Sequence, residues 1–125
     1  DNGNVKVYIN GSEKLSDNVG STSISLGAKH HNEDDGSRVF WIGYSYAHDR
    51  YFDGDIAEVR IWNRTLSKDD VNAPNHFYTV DPASEGLISY WKFDDAAGNI
   101  IKDYSSSGYD LTCDSNPKWN KVSLP

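Results

Sequence analysis

The sequence predicts an all-β fold, because three stretches show the period of two of a β-strand and only one short stretch favours a helix. Residues 5–9 alternate between apolar and polar types and end at Asn10-Gly11, which is a strong signal for a hairpin turn. Residues 57–62 alternate in the same way. Residues 86–93 form a third such stretch, with large apolar side chains on one face.

The most informative of these stretches is residues 51–67. The turn signal Asp53-Gly54 lets the chain enter the following strand sharply. Ser67 then has the character of a helix N-cap, since its hydroxyl can accept a backbone N–H and the acidic residues after it suit the positive end of a helix. A short helical turn is therefore expected near residues 67–72. The alternation of the strand places Ala57, Val59 and Ile61 on one side and Glu58, Arg60 and Trp62 on the other, and one of these faces is expected to lie on a core.

The rest of the chain is predicted to form short strands and polar connections. Residues 39–42 are a continuous apolar run, as expected of a strand covered on both faces. Further strands are expected at residues 21–26, 99–103, 109–112 and 119–122. Connections or loops are expected at residues 15–20, 28–37, 45–51, 72–84 and 105–108.

Composition limits the classes of partner. The chain has 125 residues, one domain's worth of material, with a formal net charge of −7 and a pI near 4.8. This acidity argues against nucleic acid and anionic membranes as primary partners. No apolar run is long enough to span a bilayer, and no signal peptide is seen. The single cysteine, Cys113, excludes an intrachain disulfide.

Residues 52–67 carry a family resemblance. Phe52, Gly54, Ile56 and Glu58, followed by the run Val-Arg-Ile-Trp-Asn-Arg-Thr-Leu-Ser, are similar to the closing signature of laminin-G-like domains of the concanavalin A-like jelly-roll type. The family prefers Asp where this chain has Ala57. The resemblance implies an antiparallel β-sandwich.

A second resemblance concerns residues 86–94 and 103–108, which are similar to the opening signature of the same family. This opening signature follows the closing one in the chain. Either the domain is permuted, or a second unit begins here and is cut short. We favour the first interpretation, a single domain over residues 1–125.

The strands that precede residue 5 in the family have no counterpart in this sequence. With no Met at residue 1, the chain is expected to be a processed or truncated product. An incomplete sandwich would expose sheet edges and one core face. We therefore expect either self-association or a missing N-terminal segment that completes the sandwich.

An enzymatic role is not expected. Glycoside hydrolysis needs two carboxylates placed across the sugar. Glycosidases of the jelly-roll fold carry alternating acidic residues on one strand, in a pattern similar to Glu-x-Asp-x-Glu, and this pattern does not occur here. Asp55 and Glu58 are three positions apart, so on a strand they would face opposite ways.

No cofactor is expected, with calcium as the one alternative. Calcium binds carboxylate and carbonyl oxygens, and Asp34 and Asp35 in the loop over residues 33–36 could supply them. Resemblance to laminin-G-like and pentraxin-like domains, many of which bind calcium at a rim, implies the same possibility.

The candidate ligand-binding residues cluster between two predicted strands. They are Tyr44, Tyr46, His48, Arg50 and Tyr51. Aromatic rings can stack on the C–H face of a sugar, and Arg and His can reach its hydroxyls. The alternative is a loop that its own tyrosines hold in place.

By resemblance, the sequence predicts a non-catalytic carbohydrate-binding module of a secreted or cell-surface multidomain protein, of the kind found in bacterial glycan-handling proteins. Its partner would be a glycan or a surface protein, without membrane insertion. Two alternatives stay open: a protein–protein adhesion module, and an accessory domain of a glycan-degrading enzyme.

Overall fold

The computed structural model describes residues 3–20, 41–45, 50–74, 76–113 and 117–121. Over these residues the chain forms short antiparallel strands and one short helix. In chain order they are β1 (Asn4–Ile9), β2 (Ser12–Asn18), β3 (Tyr44–Ser45), β4 (Arg50–Tyr51), β5 (Val59–Trp62), α1 (Lys68–Asn72), β6 (Leu87–Trp91), β7 (Ile100–Ile101) and β8 (Leu111–Thr112). The strands pair as β1–β2, β3–β4, β5–β6 and β7–β8, all antiparallel. The all-β prediction is confirmed.

The chain divides into two compact units, Asp1–Gly54 and Asp55–Pro125. Each unit is described by itself below. The predicted strand at residues 21–26 and the predicted loop at residues 28–37 lie outside the described residues. Within the described ranges, no helix has the length and apolar content needed to cross a bilayer.

The first unit begins with the β1–β2 hairpin. Asn10 and Gly11 have φ of 50° and 72°, the left-handed conformation that a tight two-residue hairpin turn requires of both central residues. The hairpin prediction is therefore confirmed. The prediction of a polar connection at residues 15–20 is wrong for most of its length, because β2 continues to Asn18. Every β2 residue is exposed, so burial does not alternate along this strand. Backbone pairing with β1 alone defines it.

The other pair in the first unit is β3–β4. Tyr44 pairs with Tyr51 in the register, and the N–H of Phe52 donates to the carbonyl of Gly43 at 2.8 Å. The loop prediction for residues 45–51 is thus wrong at its two ends. Trp41 is 39% exposed and lies before the strand, which contradicts the covered strand predicted at residues 39–42.

The reason for this shift is visible at Gly43. Its φ of 77° interrupts the extended conformation between the apolar run and Tyr44. The strand therefore starts two residues after the point where the apolar run predicts that it ends. Residues 39 and 40 lie outside the described residues.

The second unit is built on the β5–β6 pair. Val59 lies opposite Trp91 and Ile61 opposite Ser89, with an irregularity of the register between Ile61 and Trp62. The expectation of one covered and one open face for β5 is wrong. All four β5 residues are at least half-buried, and the side chain of Arg60 is only 6% exposed.

The core of this unit lies along β6, at the end of β7 and in the turn that follows β7. Its buried members are Leu87, Ser89, Tyr90, Trp91, Ile101 and Asp103. The strand prediction for residues 86–93 is confirmed over five residues, although β6 is covered on both faces. The chain leaves the strand conformation by Phe93, whose φ is 63°.

The carboxylate of Asp103 organises the turn after β7. Its Oδ1 accepts the N–H groups of Tyr90 at 2.9 Å and Ser105 at 2.8 Å, and its Oδ2 accepts that of Tyr109 at 3.0 Å. The indole N–H of Trp91 donates to the carbonyl of Tyr109 at 2.8 Å. The residues that resemble the family's opening signature, 86–94 and 103–108, are thus joined by hydrogen bonds within the core.

Helix α1 confirms the predicted helical turn. Ser67 is its N-cap, and its hydroxyl accepts the N–H of Asp70 at 3.0 Å. The Asp70 carboxylate accepts the N–H of Ser67 in return, at 2.9 Å, which completes a capping box.

The remaining predictions in this unit are partly correct. β7 and β8 pair through Ile101 and Leu111, inside the strands expected at residues 99–103 and 109–112. The strand expected at residues 119–122 is not formed at residues 117–121. The side chain of Asn120 instead donates to Asp55 at 2.9 Å, so a side-chain contact rather than a backbone ladder anchors this segment.

Candidate functional site

Three of the five predicted ligand-binding residues are described. Tyr44, Arg50 and Tyr51 lie on the β3–β4 pair. Tyr46 and His48 fall outside the described residues, and so do the candidate calcium ligands Asp34 and Asp35. For these four residues the sequence-based expectations stay as they were.

The structure brings Tyr44 and Tyr51 together. They are directly opposed across the strand pair, and side chains at opposed positions share a face. Their ring centroids are 4.9 Å apart, with 37° between the ring planes. The indole of Trp41 meets the Tyr44 ring edge-on, at a centroid distance of 5.2 Å and an angle of 69°. We call these three residues the aromatic platform.

The platform is open to solvent. Tyr51 is 74% exposed and Trp41 is 39% exposed, while Tyr44 between them is half-buried. Large rings left this exposed are characteristic of binding surfaces when they are clustered. The middle ring supports the two outer rings by contact with both.

Phe52 is a further exposed aromatic residue, one position after Tyr51 in the chain. It is 59% exposed. A Cβ atom on Gly54 would come within 2.8 Å of Cε1 of the Phe52 ring, so a larger residue at this position would require the exposed ring to move.

Arg50 does not join the platform. It pairs with Ser45 in the register, one position from the Tyr44–Tyr51 pair. Because successive strand residues point to opposite faces, Arg50 belongs to the other side of β4.

The sequence interpretation missed Trp41. Its position at the end of an apolar run suggests a core strand. The signal that could have identified it is the Gly43-Tyr44 pair, since a glycine before a tyrosine-rich segment marks a turn that can bring Trp41 beside it.

The acidic residues that the sequence singles out are engaged in structural contacts in the second unit. The Glu58 carboxylate accepts a hydrogen bond from the Tyr90 hydroxyl at 2.5 Å and forms an ion pair with Arg60. Arg60 also donates to the carbonyl of His76 and lies over the Tyr90 ring, 4.8 Å from its centroid. Asp55 accepts from Asn120. Glu58 and Asp55 thus belong to separate contacts.

The electrostatics of these groups follow from burial and neighbours. Burial lowers the pKa of His76, and the charge of Arg60 lowers it further. The part of the chain that the structure describes contains no group of three or more His, Cys, Asp or Glu residues arranged to hold a metal ion.

Comparisons with known proteins place these features in context. A family model described as the concanavalin A-like lectin/glucanases superfamily matches residues 1–72, which is more than half of the chain. A search of curated proteins finds no match. The chain is similar to the crystal structure of a proposed carbohydrate-binding protein from Bacteroides ovatus ATCC 8483, with a TM-score of 0.63 and 25% identity.

That similarity covers 94% of this chain and 35% of the Bacteroides protein. The chain therefore spans about a third of the length of that relative. The strand content and the two matches confirm the predicted concanavalin A-like fold.

Proposed function

Because this chain belongs to the concanavalin A-like lectin/glucanase superfamily, we propose that it is a non-catalytic carbohydrate-binding module. The aromatic platform is the observation that carries this proposal. It presents two exposed rings, Trp41 and Tyr51, held by a third ring between them. The proposed carbohydrate-binding role of the Bacteroides protein supports the same ligand class.

The platform suits a sugar for two physical reasons. An aromatic face gains free energy by covering the apolar C–H surface of a sugar ring, at about 25 cal/mol per Å² of apolar area removed from water. The phenol hydroxyl of Tyr51 and the indole N–H of Trp41 add hydrogen-bonding groups at the rim. The pairing of β3 with β4 fixes the backbone positions of Tyr44 and Tyr51, which lowers the entropy cost of ordering this surface on binding.

The engagement of Glu58 and Asp55 supports a non-catalytic role. Acid–base chemistry on a glycosidic bond needs two carboxylates that face one substrate. Glu58 is held by Arg60 and Tyr90, and Asp55 by Asn120. We further propose that the module works at the cell surface or outside the cell, as part of a longer protein.

One observation favours a second candidate function. Phe52 is an exposed ring without a polar group, and apolar aromatic anchors of this kind also form the centre of protein–protein interfaces. A protein–protein adhesion module is therefore the alternative. The superfamily also includes glucanases, so an accessory domain of a glycan-degrading enzyme is a further form of the same proposal.

The experiment that tests the proposal is a glycan-array screen of the chain, followed by calorimetry on the best ligand. We expect Tyr51→Ala and Trp41→Ala each to weaken glycan binding by about tenfold, equivalent to about 1.4 kcal/mol. Tyr109→Ala is the matched control, because Tyr109 is 63% exposed and lies in the other unit. Unchanged glycan affinity in Tyr51→Ala would exclude the platform as the binding site.

A further inference from the structure

The second unit contains an open cleft of about 480 Å³ beside α1. This volume lies within the range of small-molecule sites in proteins. Its lining includes an indole ring, two carboxylates, a guanidinium, an imidazole and a hydroxyl. These groups belong to Trp62, Asp70, Asp81, Arg64, His76 and Thr79.

One wall of the cleft is a fixed stack of Arg64 on Trp62. The guanidinium carbon lies 5.1 Å from the indole centroid. Its Nε donates to the carbonyl of Glu85 at 3.1 Å, and its Nη1 lies 3.4 Å from Oδ2 of Asp70. Three contacts therefore restrain the guanidinium: the Trp62 ring, the Glu85 carbonyl and the Asp70 carboxylate.

Other residues that line the cleft supply oxygen atoms. Oδ1 of Asp81 accepts the backbone N–H of Ala83 at 2.9 Å, and a carboxylate has further lone pairs for hydroxyl donors. The hydroxyl of Thr79 lies 3.2 Å from that of Tyr90. Carboxylate and hydroxyl oxygens next to an aromatic ring form the donor–acceptor pattern that a polyhydroxylated ligand requires.

The charges of the lining residues limit which class of ligand the cleft can bind. Arg64 and Asp70 compensate each other, and burial, followed by the charge of Arg60, lowers the pKa of His76 and so favours its neutral form. Asp81 then gives the lining a single net negative charge. This charge disfavours an anionic ligand. A neutral sugar would meet the polar groups with its hydroxyls, and its C–H faces could cover the apolar lining of Leu66, Ala73 and Val80.

We propose that this cleft binds a neutral sugar residue and is a second glycan site, in the other unit from the aromatic platform. The choice of ligand class rests on the proposed carbohydrate-binding function. The cleft itself does not, since its residues are separate from the platform.

Nuclear magnetic resonance of the full 125-residue chain tests this proposal, because the indole N–H signals of Trp41 and Trp62 report the two sites separately. The probes are cellotriose, maltotriose and N-acetylated chitotriose as neutral sugars, and trigalacturonic acid as the anionic one. We expect a neutral trisaccharide to shift the Trp62 indole signal in a saturable manner. We expect trigalacturonic acid to leave this signal in place.

Variants identify the residues responsible. Arg64→Ala and Asp81→Ala should each weaken binding at the Trp62 signal by about tenfold. Asp81→Asn keeps an oxygen for the Ala83 N–H and removes the charge, so it provides the measurement if the alanine variant does not fold. Lys118→Ala removes an exposed charge from the same unit and should leave the affinity unchanged.

The outcomes separate the two proposals. A saturable shift at Trp62 whose affinity Arg64→Ala lowers supports the cleft, whatever happens at Trp41, and an affinity that Arg64→Ala leaves unchanged overturns it. A shift at Trp41 alone overturns the cleft and keeps the platform. A response of Trp62 to trigalacturonic acid alone overturns the neutral ligand class, and no response of Trp62 to any probe overturns the site.

Discussion

At the scale of single residues, Asp103 shows how a buried carboxylate can act as structure. Burial by itself would raise its pKa, but the N–H groups of Tyr90, Ser105 and Tyr109 outweigh that effect and leave the pKa lowered. The residue is 4% exposed, so its hydrogen bonds are shielded from competing water. Its charged form is therefore part of the fold.

The lowered pKa of Asp103 predicts a pH dependence of stability. A carboxylate whose pKa is lower in the folded than in the unfolded chain stabilises fully above the unfolded value, about 3.9, and loses this contribution as the pH falls through the folded value. The free energy of unfolding should therefore decrease on acidification below about pH 4. Asp103→Asn should flatten this decrease.

The same variant should also lose stability at neutral pH. One amide N–H₂ would replace an acceptor oxygen and face a backbone N–H, at a cost of about 1–3 kcal/mol. Urea unfolding at pH 7 and at pH 3 measures both effects. Asp69→Asn, an exposed position, is the control, and an equally steep acid dependence in Asp103→Asn would contradict the assignment.

Two arginines give a matched prediction about burial. The side chain of Arg60 is 6% exposed and pairs with Glu58, whereas that of Arg64 is 41% exposed and pairs with Asp70. Removing one partner of a buried pair costs about 3–5 kcal/mol, whereas an exposed pair contributes about 0–1 kcal/mol. Thermal and urea unfolding should rank Arg60→Ala well below Arg64→Ala in stability. Equal losses would mean that the Glu58–Arg60 contact carries no special weight.

At the scale of elements, α1 depends on its first turn. Its five residues are too few to be stable as an isolated helix, so the cap at Ser67 matters. The hydrogen bond from the backbone N–H of Ser67, and next the bond from its hydroxyl, lower the pKa of Asp70. Acid should therefore loosen this end of the helix as the carboxylate is protonated.

Ser67→Ala should reduce the free energy of unfolding by about 1 kcal/mol, because it removes the acceptor for a backbone N–H at the helix start. Chemical denaturation gives the value. Lys68→Ala, one position further along the helix, should have a smaller effect. A neutral result for Ser67→Ala would show that tertiary contacts alone hold α1.

The elements also show what sequence can predict. Turn and cap residues act locally, so Asn10-Gly11 and Ser67 identified their elements correctly. Strand β2 has no buried face, and therefore no periodicity that a sequence could reveal. Burial on both faces hid the alternation expected for β5, because Arg60 is buried through an ion pair that depends on Tyr90, thirty positions away.

At the scale of the whole molecule, the net charge disfavours one class of ligand. With a net charge of −7, the chain repels polyanions over distances that salt can shorten. The sequence alone predicted this preference, together with the aromatic residues Tyr44 and Tyr51. It could not predict that Trp41 joins them, since that depends on where the strand begins.

This charge leads to a prediction about salt. Raising the ionic strength from about 0.1 M to about 1 M shortens the Debye length from about 10 Å to about 3 Å, yet affinity for a neutral glycan should change by less than about twofold. Stacking and neutral hydrogen bonds involve no counterion release. Calorimetry at the two ionic strengths measures this, with heparin as the anionic comparison. A glycan affinity that collapses in salt would point to charge-based recognition.

The pairing of β3 with β4 has a consequence for how this surface can change over time. Ser45 and Arg50 are opposed in the register, so the four residues between them begin and end at neighbouring backbone positions. The backbone ladder that sets Tyr44 opposite Tyr51 does not involve the side chains between Ser45 and Arg50. We therefore expect substitutions between these two positions to leave the pairing of Tyr44 with Tyr51 in place. If the aromatic platform binds a ligand, such substitutions could change its preference while the strand pair stays the same.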